Sequence, residues 1–345
     1  MELTKLCCSK LTSKLCPFLS IRNRYSSLNQ PKFKVLQISD ANEFIPQGRF
    51  EKLPNYDLLY SFLSKPLVTI FINEIFRPNK TIKPYQYCKI KGIFAQIRPE
   101  IDKLFRRNKM IYKIPNKKYH IKSQNYKLEC EPCTEEDLDM YMPIFFMEWC
   151  IYPKTFMKKS KIKNVVFVNN IQFSTESFTQ YRAGCPETNE TQSLILSAQE
   201  RNFLYIRIVI HHELFHYIDW VDDLSYEDDQ WKNLNTEGFK YGKGGENERE
   251  WIQLDPSVKG FINHYSTSAL QEDRAEIYQY LIGRPDEAIN NSDAIVKRKV
   301  RRIRSFIMGF DTKGIGKRRL NFFANLVDYR NKFEYREEVV KQIVH

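Results

Sequence analysis

The clearest chemistry in the chain lies in five consecutive residues. His212-Glu213-Leu214-Phe215-His216 has the form H-E-x-x-H. Four residues advance a helix by about 400°, so both imidazoles leave the same face about one turn apart and can grip a single zinc ion. Glu213 then stands beside the open coordination position, where a carboxylate can take a proton from a zinc-activated water. The chemistry implied is metal-assisted hydrolysis, with one Zn2+ per chain.

Two histidines do not complete such a site, because a catalytic zinc takes three protein ligands and keeps the fourth position for water. Three acids compete for the third place. Asp222 follows His216 by six residues, but Asp219 stands where that type of site has the glycine that turns the chain. Glu237, in Leu234-Asn235-Thr236-Glu237-Gly238-Phe239, echoes an aminopeptidase pattern at the wrong spacing. Glu272, in Gln271-Glu272-Asp273-Arg274-Ala275-Glu276, opens a predicted helix on which Glu276 lies one turn further along the same face. The first carboxylate of that pair can reach a metal while the second orients a ligand, which makes Glu272 the preferred choice.

His212-Glu213-x-x-His216-x-x-Asp219, with Tyr265 seven residues ahead of Glu272-x-x-Ala275-Glu276, resembles the gluzincin metallopeptidases of the anthrax lethal factor and Pro-Pro endopeptidase type. It is still more similar to uncharacterised zinc-binding metallopeptidases, through Glu148-x-x-x-Tyr152-Pro153, Arg182-Ala183-Gly184, and Trp231 with Leu234-Asn235 ahead of Phe239-x-Tyr241-Gly242. The resemblance spans about residues 134–304. It implies zinc ligands His212, His216 and Glu272, Glu213 as general base, Tyr265 as a donor to the oxyanion, and Asp219 and Glu276 as groups that hold the ligands in place. It also implies a protein or peptide substrate laid along the strand before the zinc helix, for which Ser193, Leu194, Ile195, Leu196 and Ser197 are the candidates. An internal strand without a free edge is the alternative reading of that segment.

These residues need elements to position them. A helix over about 201–221 carries the motif, and Asn164 to Val168 and Ser193 to Ser197 read as buried strands. Thr134-Glu135-Glu136-Asp137 signals a helix start, leading to a helix that runs through Trp149. Upstream, 55–76 reads as two helical pieces divided at Pro66, with helix near 99–108 and strand near 109–121. The order indicates an α+β fold: a zincin-like metallopeptidase domain with a small mixed sheet, an active-site helix and a helical C-terminal subdomain. The expected division is a basic segment over 1–50, a basic accessory region over 51–130 and the metallopeptidase domain over 131–345.

The charge distribution motivates that division. The 345 residues carry a net charge of +12, yet residues 1–130 hold 25 basic and 9 acidic side chains. That half could face an anionic partner, and the alternatives to a zinc endopeptidase are an inactive metallopeptidase-fold binding module or a nucleic-acid-associated protein acting through its basic N-terminal region. The run Lys297-Arg-Lys-Val-Arg-Arg-Ile-Arg304 is explained by a helix that buries Val300 and Ile303. No stretch reaches the roughly 18 apolar residues of a membrane span. Eight thinly spread cysteines point to reduced thiols and an intracellular, cytoplasmic protein, with mitochondrial or nuclear targeting as alternatives. Acylation of Cys7 and Cys8 is a further possibility raised by the basic residues around them.

Overall fold

A computed structural model describes residues 53–75, 91–201, 203–223, 227–242, 258–316 and 319–332. The basic segment over 1–50, with Cys7 and Cys8, lies outside these described residues. Among the described residues three helices come first: α1 (Tyr56–Leu63), α2 (Pro66–Ile75) and α3 (Ile93–Asn108). Pro66 divides the first two by opening α2, where its missing N–H would have had no partner inside the helix anyway. Strands β1 (Ile111–Lys113), β2 (Tyr119–Lys122) and β3 (Lys127–Glu131) follow, then α4 (Glu135–Trp149) and α5 (Lys154–Ser160). The Thr134 hydroxyl accepts from the Asp137 amide at 3.1 Å while the Asp137 carboxylate accepts from the Thr134 amide at 2.9 Å. This reciprocal cap starts α4 as its sequence requires and contributes about 1 kcal/mol.

The sheet is built on one long strand, β4 (Asn164–Ser174), which extends six residues beyond the predicted stretch. Its first half lies between two parallel neighbours, β1 on one side and β7 (Ser193–Ser197) on the other. Its second half pairs antiparallel with β3 and with β5 (Thr179–Arg182), and β2 extends that end beyond β3. Strand β6 (Gly184–Glu187) runs antiparallel to β7 and closes the other end of the sheet. The result is a mixed sheet in an α+β fold.

Alternation along the strands separates two cores. Val165, Phe167, Leu194 and Leu196 face the helices, whereas Val166, Val168, Ile195 and Cys185 meet Leu128, Cys130 and Ile171 on the opposite face. Helix α6 (Phe203–Asp223) packs on the first face, followed by the short α7 (Asp229–Lys232). Then come a 3-10 turn at Tyr265–Thr267, α8 (Leu270–Gly283), α9 (Pro285–Asn290), α10 (Ala294–Phe310) and α11 (Arg319–Lys332). Among the described residues no helix is long and apolar enough to cross a membrane.

The boundary expected at residue 130 runs through this sheet, since β1 and β3 pair directly with β4. The helices ahead of it share the main core: Phe62 meets Phe146 at 4.8 Å between ring centroids, and Phe105 stacks near Phe145. Helix α3 buries Ile93, Ile97, Ile101, Leu104 and Phe105 in one stripe and leaves its basic residues outside it.

Candidate metal centre and cleft

Helix α6 brings His212 and His216 to one face, and the first turn of α8 delivers Glu272 against them. His212 Nε2 lies 2.9 Å from His216 Nε2 and 3.1 Å from Glu272 Oε2, which is 3.2 Å from His216 Nε2. Among the described residues these three form the group of His, Cys, Asp and Glu side chains close enough to share an ion. The other two acids weighed as third ligand, Asp222 and Glu237, are exposed and outside the group.

The donor set fits zinc. His212 Nδ1 faces Glu276 Oε1 at 2.9 Å, so a proton on Nδ1 leaves the Nε2 lone pair turned toward the other two atoms. Tetrahedral bonds of about 2.0–2.2 Å separate ligand atoms by about 3.3–3.6 Å, so the observed triangle need open by only a few tenths of an ångström. Its electrostatics also call for positive charge. Burial opposes charging His212, but Glu272 and Glu276 outweigh it and hold the ring well above the ordinary histidine range. Burial would raise Glu272, yet His216 and His212 hold its carboxyl well below the ordinary range. A buried cluster that recruits a cation in this way suits a metal ion in competition with protons.

Around the triangle stand the other expected groups. Glu276 is buried, and its second oxygen accepts from the Asn263 and Gln279 amides, so both oxygens of that carboxylate are engaged. The Tyr265 ring centroid lies 6.0 Å from that of His212. Burial first, then the Glu272 and Glu213 carboxylates, push the Tyr265 phenol well above its usual range and keep it a hydrogen-bond donor. Asp219 is placed one turn beyond His216 and pairs with Arg274 of α8 at 2.7 Å, with both side chains buried. That pair ties the histidine helix to the Glu272 helix.

Glu213 is half-buried and lies against strand β6. A Cβ at Gly184 would overlap Glu213 Cγ, so only glycine at 184 allows strand and side chain to approach this closely. The expectation that Ser193 to Ser197 offers a substrate edge is corrected here. Strand β7 lies between β4 and β6, all five of its residues are buried, and both of its flanks are already paired. Among the described residues the outer strand on that side is β6, whose four residues carry too little pattern to be read as a strand. Cys185 on β6 turns to the opposite face, where burial pushes its thiol up to about 12. Of the acids after α6, Asp228 caps α7 and pairs with Arg302 at 2.9 Å, and Glu227 pairs with Lys232.

Sequence reasoning named Glu148 and Tyr152 only within a resemblance and gave the groups behind the motif no role. His211, the residue before the first ligand, is fully buried and sends Nε2 to Glu148 Oε2 at 2.8 Å. Its Nδ1 meets the Tyr152 hydroxyl at 2.7 Å, which in turn accepts from the Tyr278 hydroxyl at 3.0 Å. Arg330 of α11 grips Glu148 with two bonds of 2.8 and 2.6 Å, and Arg207 adds a third at 2.8 Å. Burial alone would raise Glu148, but Arg330 and Arg207 hold it well below the ordinary carboxylate range. Four helices thereby meet at the back of the histidine pair.

No family model matches the chain, and no curated protein does. A crystal structure described as a "putative zinc-binding metallo-peptidase" from Bacteroides caccae is similar over 68% of this chain and 94% of its own, at 15% identity and a TM-score of 0.41. At that distance the reading of this site rests on its own residues.

Proposed function

We propose that the chain is a zinc-dependent endopeptidase of the gluzincin type. The observation that carries this reading is the convergence of His212 Nε2, His216 Nε2 and Glu272 Oε2 within 3.2 Å of one another beside Glu213. His212, His216 and Glu272 would hold the metal. A zinc ion there supplies Lewis-acid polarisation of a carbonyl and a water of lowered pKa. Glu276 fixes the His212 ring through Nδ1. Glu213 takes the proton of the attacking water and later passes it to the leaving amine. The Tyr265 phenol, kept protonated by its surroundings, donates to the substrate oxygen as negative charge develops on it. An extended peptide would lie along β6, the sheet edge that adjoins Glu213.

The test is Glu213→Gln in the full chain, with metal content and cleavage of a mixed peptide library measured together. The expected outcome is one zinc per chain in both proteins and a fall in kcat of about 10²–10⁴-fold in the variant. Equal cleavage by parent and variant would refute the assignment of the base. A parent that binds no zinc would refute the whole reading.

A further inference from the structure

Tyr265 must stand at a fixed place beside the metal, yet it sits in a short turn of the connecting segment over 258–267 and not on a helix of the framework. Several bonds hold that segment. The Gly260 amide donates to Asp293 Oδ2 at 2.8 Å, and the Gly260 carbonyl accepts from Lys299 Nζ of α10 at 2.7 Å. Further along, the Thr267 carbonyl accepts from the Gly242 amide at 3.1 Å. Of these holds, the one at Asn263 reaches a side chain that touches a proposed zinc ligand. Asn263 Nδ2 donates to Glu276 Oε2, and the other oxygen of Glu276 faces His212 Nδ1 at 2.9 Å. Asn263 Oδ1 accepts from the amide of Ser266, the residue after Tyr265, at 2.9 Å. The Ser266 hydroxyl, fully buried, donates back to the Asn263 carbonyl at 2.6 Å.

Resting on the peptidase reading, the structure assigns Asn263 as a positioning residue that ties the Tyr265 turn to the carboxylate orienting His212, so that the oxyanion donor and a metal ligand are held in one register. The direction of each bond explains the residue type. The side chain must donate to a carboxylate at one end and accept from a backbone N–H at the other, and a primary amide does both. Serine can cap a turn by accepting from the amide three residues on, but its single Oγ has no second arm for Glu276. Asn263 therefore acts indirectly, through Tyr265 on one side and through Glu276 on the other. Removing an oxyanion donor outright costs about 10²–10³-fold in kcat, and displacing a catalytic group by about 1 Å costs about a hundredfold. Releasing the tether should cost no more than that.

The test compares the full-length parent with Asn263→Ser, which can keep the cap and drops the bond to Glu276, and with Asn263→Ala, which drops both. Each is made alone and in a Tyr265→Phe background. Zinc competition against a chromophoric chelator is measured beside kcat and KM on the best-cleaved peptide of an unbiased library, with thermal unfolding of the metal-free proteins as the measure of fold. The expected result is that both substitutions lower kcat by about 10–100-fold with KM changed less than about threefold, the pattern of a contact that matters in the transition state. Zinc affinity falls by about three- to tenfold, the worth of one hydrogen bond transmitted through Glu276. In the Tyr265→Phe background the kcat effect shrinks to within about threefold while the zinc effect persists; a generally loosened fold would instead give additive losses. Parent-like kcat and zinc affinity in Asn263→Ser would show that Asn263 only caps the turn and would overturn the tether. An undiminished kcat loss in the Tyr265→Phe background would overturn it as well. Both of these outcomes leave the peptidase reading intact, whereas a zinc-loaded parent that cleaves no library peptide overturns that reading and the tether together.

Discussion

Glu276 gives the most discriminating test of the metal centre, because it touches the site without being a candidate ligand. Its Oε1 faces His212 Nδ1 at 2.9 Å and its other oxygen accepts from Asn263 and Gln279. Glu276→Gln preserves shape and volume but cannot present two acceptors. If the new amide turns its oxygen to His212, its NH2 confronts two donor amides. If it turns its NH2 to His212, Nδ1 must accept, the proton moves to Nε2 and the lone pair aimed at the metal is lost. Either way one group in a buried network is left mismatched. Removing such an orienting partner costs metal affinity about 10–100-fold, or about 1.4–2.8 kcal/mol. The assay is zinc competition against a chromophoric chelator with the full chain, with thermal unfolding of the metal-free protein as the measure of fold. Glu272→Gln, which removes a ligand, should lose more. A Glu276→Gln affinity within threefold of the parent, with the fold intact, would refute the orienting role.

Two further outcomes follow from buried contacts. Arg330→Met should destabilise the protein by about 3–5 kcal/mol in urea unfolding, because Glu148 loses two of its bonds while still buried. A carboxylate held below its unfolded value contributes stability above about pH 4.3 and loses it as pH falls toward the folded value, so the variant should also show a shallower acid limb in stability against pH. An unchanged acid limb would remove Glu148 from that role. Gly184→Ala should lower the unfolding midpoint in the parent but not in a Glu213→Ala background, since the added methyl overlaps Glu213 Cγ; equal losses in both backgrounds would place the clash elsewhere.

The motif and its partners were legible because helical spacing converts sequence distance into direction: positions 212 and 216, and positions 272 and 276, each share a face before any tertiary contact is known. The Thr134 cap and the buried strand at Ser193 were readable for the same local reason. What sequence could not carry was sheet order. Ser193 to Ser197 has the composition of a buried strand whether it is internal or at an edge, and the decision lies with β6, whose Gly-Cys-Pro-Glu sequence has no apolar alternation. The boundary expected at 130 was drawn from net charge, which reports on surfaces, whereas β3 is placed by its bonds to β4. Glu148 and Arg330 meet across 182 residues, a distance at which no spacing rule operates.

That long-range pair also bears on how the protein comes into being. Helices α4 and α6 leave the ribosome well before residue 330, and until α11 arrives the carboxylate behind the histidine helix has lost its principal counter-charge. The framework behind the histidines can settle only once nearly all of the described chain has been made. On the peptidase proposal, this order of assembly leaves a nascent or prematurely terminated chain without the framework behind its metal-binding residues.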